Sequence, residues 1–344
     1  MNASIETDID IRPLRSQERD AFLELLSGWP FRDDRRGDEF FARSLDFDPR
    51  FQPDNVWVAA RGEELLSCCQ IFPRELRIAG EPVAAGGIGT VFTRPEARRQ
   101  GYAGQVLAAA TQEMQRRGLR LSMLHAGRLD WYERLGWTRW TPSTANLELA
   151  EGFERPRVLD TPLSLMRFDE DLHFETVQRL AASYSADRHG TVVRSAEDWR
   201  GSLRLAGNPV EEFVVGQDPR LDEPVVFLRG CIVEDAWQVL EWACVDGYQE
   251  HLAELFAMTL RTVGQEEVVA PLLQDETLAA ELRRRGLVQQ RPDPADAHWM
   301  LRCLAPEELA AQFAVPEELA QNGEALLRVL LPPPAFHFWT ADRF

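Results

Sequence analysis

The chain has 344 residues, 44% hydrophobic and 9% aromatic, enough apolar material for about two ordinary domains with cores of their own. Its formal net charge of −18 repels nucleic acid and anionic membranes and favours a cationic substrate, although acidic surfaces also serve solubility. Five cysteines without CxxC spacing, six scattered histidines, no run of 18 apolar residues and an acidic start, MNASIETDID, argue against a disulfide scaffold, a metal site, a membrane span and a signal peptide, so a cytoplasmic protein is expected.

The first stretch, IDIRPLRSQERDAFLELL, reads as a short strand and then a helix with Ala21, Phe22, Leu25 and Leu26 on its apolar face and Ser16 as its cap. Gly28 to Arg50 is rich in charge and aromatics, a loop and short helix in which Trp29, Phe31, Phe40 and Phe41 could wall a site or join a core. Three strands follow, over 56–60, 65–75 and 86–93, with Arg61-Gly62 turning the first into the second. A helix then carries Val106, Leu107, Ala110 and Met114 on one face and stops at Gly118. LRLSMLHA is a buried strand, WYERLG a short helix closed by Gly136, and WTRWTPSTANLELA a strand pair.

The second half partly repeats this order. EEFVVGQD, EPVVFLRGCIVE and AWQVLEWACVD are three strands, YQEHLAELFAMTLRTVG a helix, EEVVAPLLQ a strand and TLAAELRRRGL a short helix. WYERLGW and ELRRRGL each place an arginine two residues before a glycine, as expected of a duplicated unit. After a connector at 291–296, the last segment holds a helix, PEELAAQFA, a stiff PPPAF spacer and the aromatic end FHFWTADRF, which must pack onto something.

Residues 93–107, TRPEARRQGYAGQVL, place two arginines and Gly-Tyr-Ala-Gly between a strand and a helix. Free N–H donors at the helix start and the positive dipole end make an anion site, Gly101 and Ala103 keep side-chain bulk away, and Arg98 and Arg99 add charge. The motif lacks the Lys-Ser/Thr pair of a Walker loop and the GxGxxG of a dinucleotide fingerprint. An exposed basic helix start is the plain alternative; the preceding strand and the downstream YERLGW favour a cofactor cradle.

The R-x-x-G-x-A pattern after a strand ending VFTRP resembles the pyrophosphate loop of the GNAT family of N-acetyltransferases, and the elements from Ile9 to about Ala150 resemble that fold. The resemblance implies acetyl-CoA as cosubstrate, and the scattered histidines without HxH or CxxC spacing lead to no expected metal. It implies that the main chain of Val91, Phe92 and Thr93 pairs with the pantetheine arm, and that Arg98, Arg99, Gln100, Gly101, Tyr102, Ala103 and Gly104 hold the pyrophosphate. Tyr132 is implied as general acid for the leaving thiolate, against the alternative that its ring only packs. Tandem units with one intact loop and an appended tail resemble the Eis-like (enhanced intracellular survival) acetyltransferases, which implies the terminal carboxylate of Phe344 as base. The tail here, residues 305–344, is shorter than the sterol-carrier-like domain of that pattern. His125 is a further candidate base or a rim residue, and Arg188, His189 and Asp198 line a cleft or pack between units.

The expected architecture is an α/β (α+β) fold of two tandem GNAT units, mixed sheets flanked by helices. Residues 1–150 form the catalytic unit, 151–304 a degenerate second unit with Leu282 where the first has Tyr132, and 305–344 a tail returning toward the site. The expected function is direct acetyl transfer to a small primary amine, without nucleic-acid or membrane partners and with homo-oligomerisation open. The rivals are an acyl-CoA sensor and a tRNA-dependent aminoacyl transferase of paired-GNAT type; the second typically carries a basic surface, which the net charge opposes. A mycothiol-synthase-like enzyme would use the C-terminal unit, where the loop is missing.

Overall fold

The computed structural model describes residues 8–31, 36–141, 145–149, 161–206, 212–233, 236–263, 267–270, 275–290 and 298–342. The first half runs β1 (Ile9–Pro13), α1 (Arg19–Ser27), α2 (Gly37–Phe47), β2 (Val56–Arg61), β3 (Glu64–Ile78), β4 (Glu81–Thr93), α3 (Tyr102–Arg116), β5 (Leu121–His125), α4 (Leu129–Glu133), β6 (Thr138–Trp140) and β7 (Ala145–Leu149). The second runs β8 (Ser164–Arg167), α5 (Glu170–Ser185), α6 (Ala196–Ala206), β9 (Glu212–Asp218), β10 (Glu223–Val233), β11 (Ala236–Cys244), α7 (Gln249–Val263), β12 (Glu267–Ala270), α8 (Glu276–Arg284), β13 (Leu287–Gln290) and β14 (Trp299–Cys303). The tail adds α9 (Pro306–Gln312), α10 (Glu317–Ala320) and α11 (Gly323–Leu330). No helix among the described residues is long and apolar enough to cross a membrane.

Two sheets of seven strands result, ordered β1-β2-β3-β4-β5-β14-β6 and β8-β9-β10-β11-β12-β7-β13. The orders correspond strand for strand, and each sheet takes its sixth strand from the other half. β14 pairs with β5 and β6, Met300 opposite Leu124 and Arg139; β7 pairs with β12 and β13, Leu147 opposite Val268 and Gln289. WTRWTPSTANLELA is therefore not a strand pair: its two strands lie in different sheets. A boundary at 150 likewise assigns β7 to the wrong sheet, and 151–304 includes β14, which completes the first. Alternating apolar residues specify a buried face and not a partner, so either half could have kept its own strand.

β3 and β4 run further than 75 and 86, joined by Ala79-Gly80 with φ of +50° and +84°, both positive as a tight hairpin turn requires. The extra arm is held from outside the first sheet. Arg77 donates its N–H to Thr191 O at 2.8 Å, Val193 donates to Glu75 O at 2.8 Å, and Leu76 bridges to Val192. The start of α1 also differs from expectation. Ser16 opens a short turn, and the side chain used there is Glu18, which accepts from the Arg15 N–H at 2.9 Å and from both Arg12 terminal nitrogens at 2.8 Å.

The aromatic tail is tied down. Phe336 and Phe338 join the core that contains Leu76, Trp140 and Trp299, while Trp339 joins the second-half core against Tyr184 and Trp242. Asp342 then pairs with Arg194 Nε at 2.5 Å, and Arg194 Nη1 reaches Glu241 at 2.6 Å, whose other oxygen takes Arg229 at 2.8 Å. All four side chains are buried, so each charge depends on its neighbours.

Candidate active site

The parallel pairing of β4 with β5 runs from Ala85↔Leu121 to Ile88↔Leu124 and stops. β3 continues beside β4 to Ser67↔Thr93, so from Gly89 to Thr93 β4 is paired on one side only among the described residues. The register changes from Gln70↔Gly89 to Cys68↔Phe92, a bulge in which Thr90 and Val91 together oppose Cys69. Bulges redirect backbone groups, and here the β4 edge diverges from β5 into an open fork. Its unpaired N–H and C=O groups can accept an extended partner as an added strand would. Val91, Phe92 and Thr93 form this edge.

β4 runs through a short turn, Pro95–Ala97, into Arg98, Arg99, Gln100 and Gly101, the cap of α3. Arg99 and Gly101 have φ of +65° and +84°, and backbone that alternates hand in this way turns successive N–H groups to one side as an anion nest. The first helix N–H with an acceptor is that of Gln105, on Gly101 O at 3.1 Å. Those of Tyr102, Ala103 and Gly104 have none among the described residues, as a helix start dictates. A Cβ built on Gly104 meets nothing within 4 Å, so space lies open above the turn. Arg98 Nε donates to Thr93 O at 3.2 Å, tying the cradle to the end of the fork edge, and Tyr102 donates its hydroxyl proton to Gln100 at 2.7 Å. Arg98, Arg99, Gln100 and Gly101 are exposed. The donor set fits the diphosphate of a coenzyme A: backbone N–H groups, a positive helix end and two cationic side chains without a carboxylate partner among the described residues.

Tyr132 lies on α4, which Gly136 closes at φ +94° while Trp137 donates its N–H to Tyr132 O at 3.1 Å. The ring is buried in a cluster with Cys69, Ile88, Val106 and Leu107, its edge met by Trp131 at 4.7 Å and Trp137 at 6.2 Å. Val91 of the fork edge and Tyr102 of the cradle pack on the same cluster. One apolar body thus holds the edge, the anion site and the phenol together. Burial pushes the Tyr132 hydroxyl above its ordinary pKa, with Arg128 opposing, and no described residue hydrogen-bonds it. The proton is present at any physiological pH and free to be given to a ligand.

A family model described as acetyltransferase (GNAT) domain matches residues 10–140. The chain carries a GNAT acetyltransferase domain. Solved structures agree over most of the chain. A GCN5-related N-acetyltransferase from Kribbella flavida superposes with a TM-score of 0.68 at 13% identity, covering 90% of this chain and 74% of that one. Eis1 from Mycobacterium abscessus gives 0.58 at 18% identity over 88% of this chain and 76% of its own. N-myristoyltransferase from Saccharomyces cerevisiae, with bound myristoyl-CoA, gives 0.57 at 13% identity over 88% and 84%. At these identities the likeness is one of fold. No curated protein matches the sequence. The GNAT domain makes the chain an acyltransferase, and the second sheet repeats its strand order.

Other residues singled out in the sequence fall around the GNAT fork or away from it. Trp29 meets Phe41 at 4.8 Å and Phe92 at 5.8 Å, and Phe31 meets Phe40 at 5.0 Å, so the four aromatics form one cluster against the end of β4 with Phe40 on its exposed side. His125 ends β5, exposed, its ring 5.2 Å from Trp299. His189 and Asp198 are used in packing between the halves, His189 accepting the Ala79 N–H at 3.3 Å and Asp198 taking Arg50 at 2.7 and 2.8 Å, while Arg188 lies on the Tyr184 ring within the second half. Phe344 lies outside the described residues. Sequence reasoning passed over Gln70 and Thr90, which face each other across the bulge. A lone glutamine inside the apolar run LLSCCQIF was the available signal.

Proposed function

We propose that the chain is an N-acetyltransferase that moves the acetyl group of acetyl-CoA directly to a small primary amine. The observation that carries this is the unpaired β4 edge running into an open N–H cradle, with a proton-bearing Tyr132 on the same apolar cluster. Acetyl-CoA would supply an activated acyl group as a thioester. Val91, Phe92 and Thr93 would hold the pantetheine arm by main-chain hydrogen bonds, and Arg98 to Gly104 the diphosphate. A backbone N–H at the bulge, near Val91, would support the carbonyl oxygen as charge develops on it. The acceptor nitrogen bonds to the acyl carbon as the carbon–sulfur bond breaks; Tyr132 gives its proton to the departing sulfur, and the nitrogen loses one to solvent or a base. Burial that holds the proton on Tyr132 also makes a thiolate beside it more basic, so the two shifts offset and the proton can still pass from phenol to sulfur.

Two features bear on the acyl group and the acceptor. A fold neighbour is described with bound myristoyl-CoA; here Cys69, Ile71, Val106 and Leu107 are buried in one core with Tyr132, a packed surround in keeping with a short acyl group. The net charge of −18 favours a cationic amine. Isothermal titration with acetyl-CoA tests the reading: one-to-one binding that is lost in Arg99→Glu with Gly101→Glu, followed by thiol release with amines that is lost in Tyr132→Phe. Binding without thiol release from any amine would make the chain a sensor of acyl-CoA instead.

A further inference from the structure

β3 alternates its side chains across the sheet. Cys69 and Ile71 join the cluster beneath Tyr132, and Cys68 joins the cluster on the α1–α2 side, so Gln70 lies on the α1–α2 side as well. It is 1% exposed, a buried carboxamide on a face otherwise built from apolar groups. Its Oε1 accepts from Thr90 Oγ1 at 3.4 Å. Thr90 is buried in the bulge with φ +53°, a left-handed conformation that is a steric outlier for a β-branched residue. Glycine adopts that conformation without cost, and the same strand already uses Gly86, Gly87 and Gly89. Thr90 places a strained hydroxyl in the bulge two residues past the last β4–β5 pair, and strain of this kind gathers at functional sites.

We propose that Thr90 is the group that holds the acceptor amine and that Gln70 positions it. The inference rests on the acyltransferase reading. A hydroxyl has one proton and two lone pairs. With its proton turned to Gln70, Thr90 leaves both lone pairs for the N–H groups of an attacking amine. At 3.4 Å the contact is long for an O–H···O hydrogen bond, so it biases the hydroxyl toward Gln70 without saturating the oxygen. The arrangement also separates the two tasks of the reaction: Tyr132 serves the leaving sulfur from the α3 side of the fork edge, and Thr90 serves the nitrogen from the α1–α2 side. The acceptor class that fits is an unhindered primary amine, since two N–H groups must remain for Thr90 while the nitrogen lone pair faces the acyl carbon.

The test measures thiol release from acetyl-CoA with spermidine, tyramine and octylamine as probe amines, together with isothermal titration of acetyl-CoA. Thr90→Gly, which the backbone accepts, is expected to raise the KM of whichever probe is used by about tenfold with a smaller change in kcat. Acetyl-CoA binding should stay within about twofold of wild type, because Thr90 is outside the cradle. Thr90→Ser should recover most of the KM, and Gln70→Leu should raise it by a smaller factor while leaving melting temperature near that of Thr90→Ser. A wild-type KM in Thr90→Gly overturns the assignment and leaves the acyltransferase reading intact. Absence of acetyl-CoA binding, or of turnover with every probe, in the wild-type chain overturns both.

Discussion

The two sheets have the same strand order, and both carry a bulge where the fourth strand begins to diverge. In the first, Thr90 and Val91 oppose Cys69; in the second, the register steps from Gly230↔Val239 to Arg229↔Glu241, so Leu240 is extra. Both parallel pairings end early, at Ile88 and at Gln238. The forks differ in the connection that leads from the strand to the next helix. Eight residues, Arg94 to Gly101, connect β4 to α3, but only Val245 to Tyr248 connect β11 to α7. In the short connection Gly247 N–H is taken by Gln249 Oε1 at 2.9 Å and the Tyr248 hydroxyl by Asp218 at 2.7 Å, with Asp246 and Glu250 alongside. That helix start is self-capped and acidic where the first is open and basic. The tail also packs on β11 past its parallel pairing: Glu241 reaches Asp342 through Arg194, and Trp242 meets Trp339 at 5.4 Å. The two sheets share their geometry, and an open, basic helix start is present in one of them.

The comparison can be broken at several points. The largest effect is expected at the cradle. Arg99→Glu with Gly101→Glu should weaken acetyl-CoA binding by at least about a hundredfold, by placing two carboxylates at the anion site and a side chain on left-handed backbone. Gln249→Glu, the matching insult at the start of α7, should leave the titration unchanged. Next is the phenol. Tyr132→Phe should lower kcat by roughly 10²–10⁴-fold without loss of acetyl-CoA binding. In the second copy, Leu282→Ala should instead cost about 2–5 kcal/mol of stability in urea melts and leave kcat per folded molecule alone.

The ionic clasp separates the copies by stability. Burial raises the Asp342 pKa against the pull of Arg194, and it would raise Glu241 too if two arginines did not hold it down. Arg194→Ala strands the buried Asp342 and leaves Glu241 to Arg229 alone, and should cost about 3–5 kcal/mol. Arg99→Ala, exposed in the first copy, should stay within about 0.5 kcal/mol of wild type. The smallest effect is a pH dependence at His337, which is fully buried with neither ring nitrogen bonded among the described residues. Burial, reinforced by Arg188, lowers its pKa well below the ordinary value. A base whose folded pKa is depressed gives full stability above its unfolded pKa of about 6.5 and loses it as pH falls below that value. Melting temperature should therefore drop between pH 8 and pH 5 more steeply in the wild type than in His337→Leu.

Most elements, and the open turn at Arg98–Gly101 ahead of α3, were legible in the sequence because their signals are local. A glycine at left-handed backbone, two adjacent arginines and an apolar helical stripe need no distant partner to be recognised, and the short helix carrying Tyr132 followed from Gly136 at its end. The β3–β4 arm beyond Glu75 was missed because Thr191 to Val193, over a hundred residues away, hold it in place. The polar cluster 186–199 read equally as cleft or as packing, and Arg50–Asp198 and His189–Ala79 place it in packing between the halves.

By itself the sequence determined most of the strands and helices, the place of the strand-to-helix turn with its two arginines, and the shorter connection in the second half. Tertiary structure decided the exchange of β7 and β14 between sheets, the tail stitched across two cores, and the pairing of Gln70 with a strained Thr90. The physical reason is the same in each case. Periodicity encodes a buried face and backbone preference encodes a turn, but neither encodes which distant strand completes the sheet, nor which polar side chain meets another across a bulge.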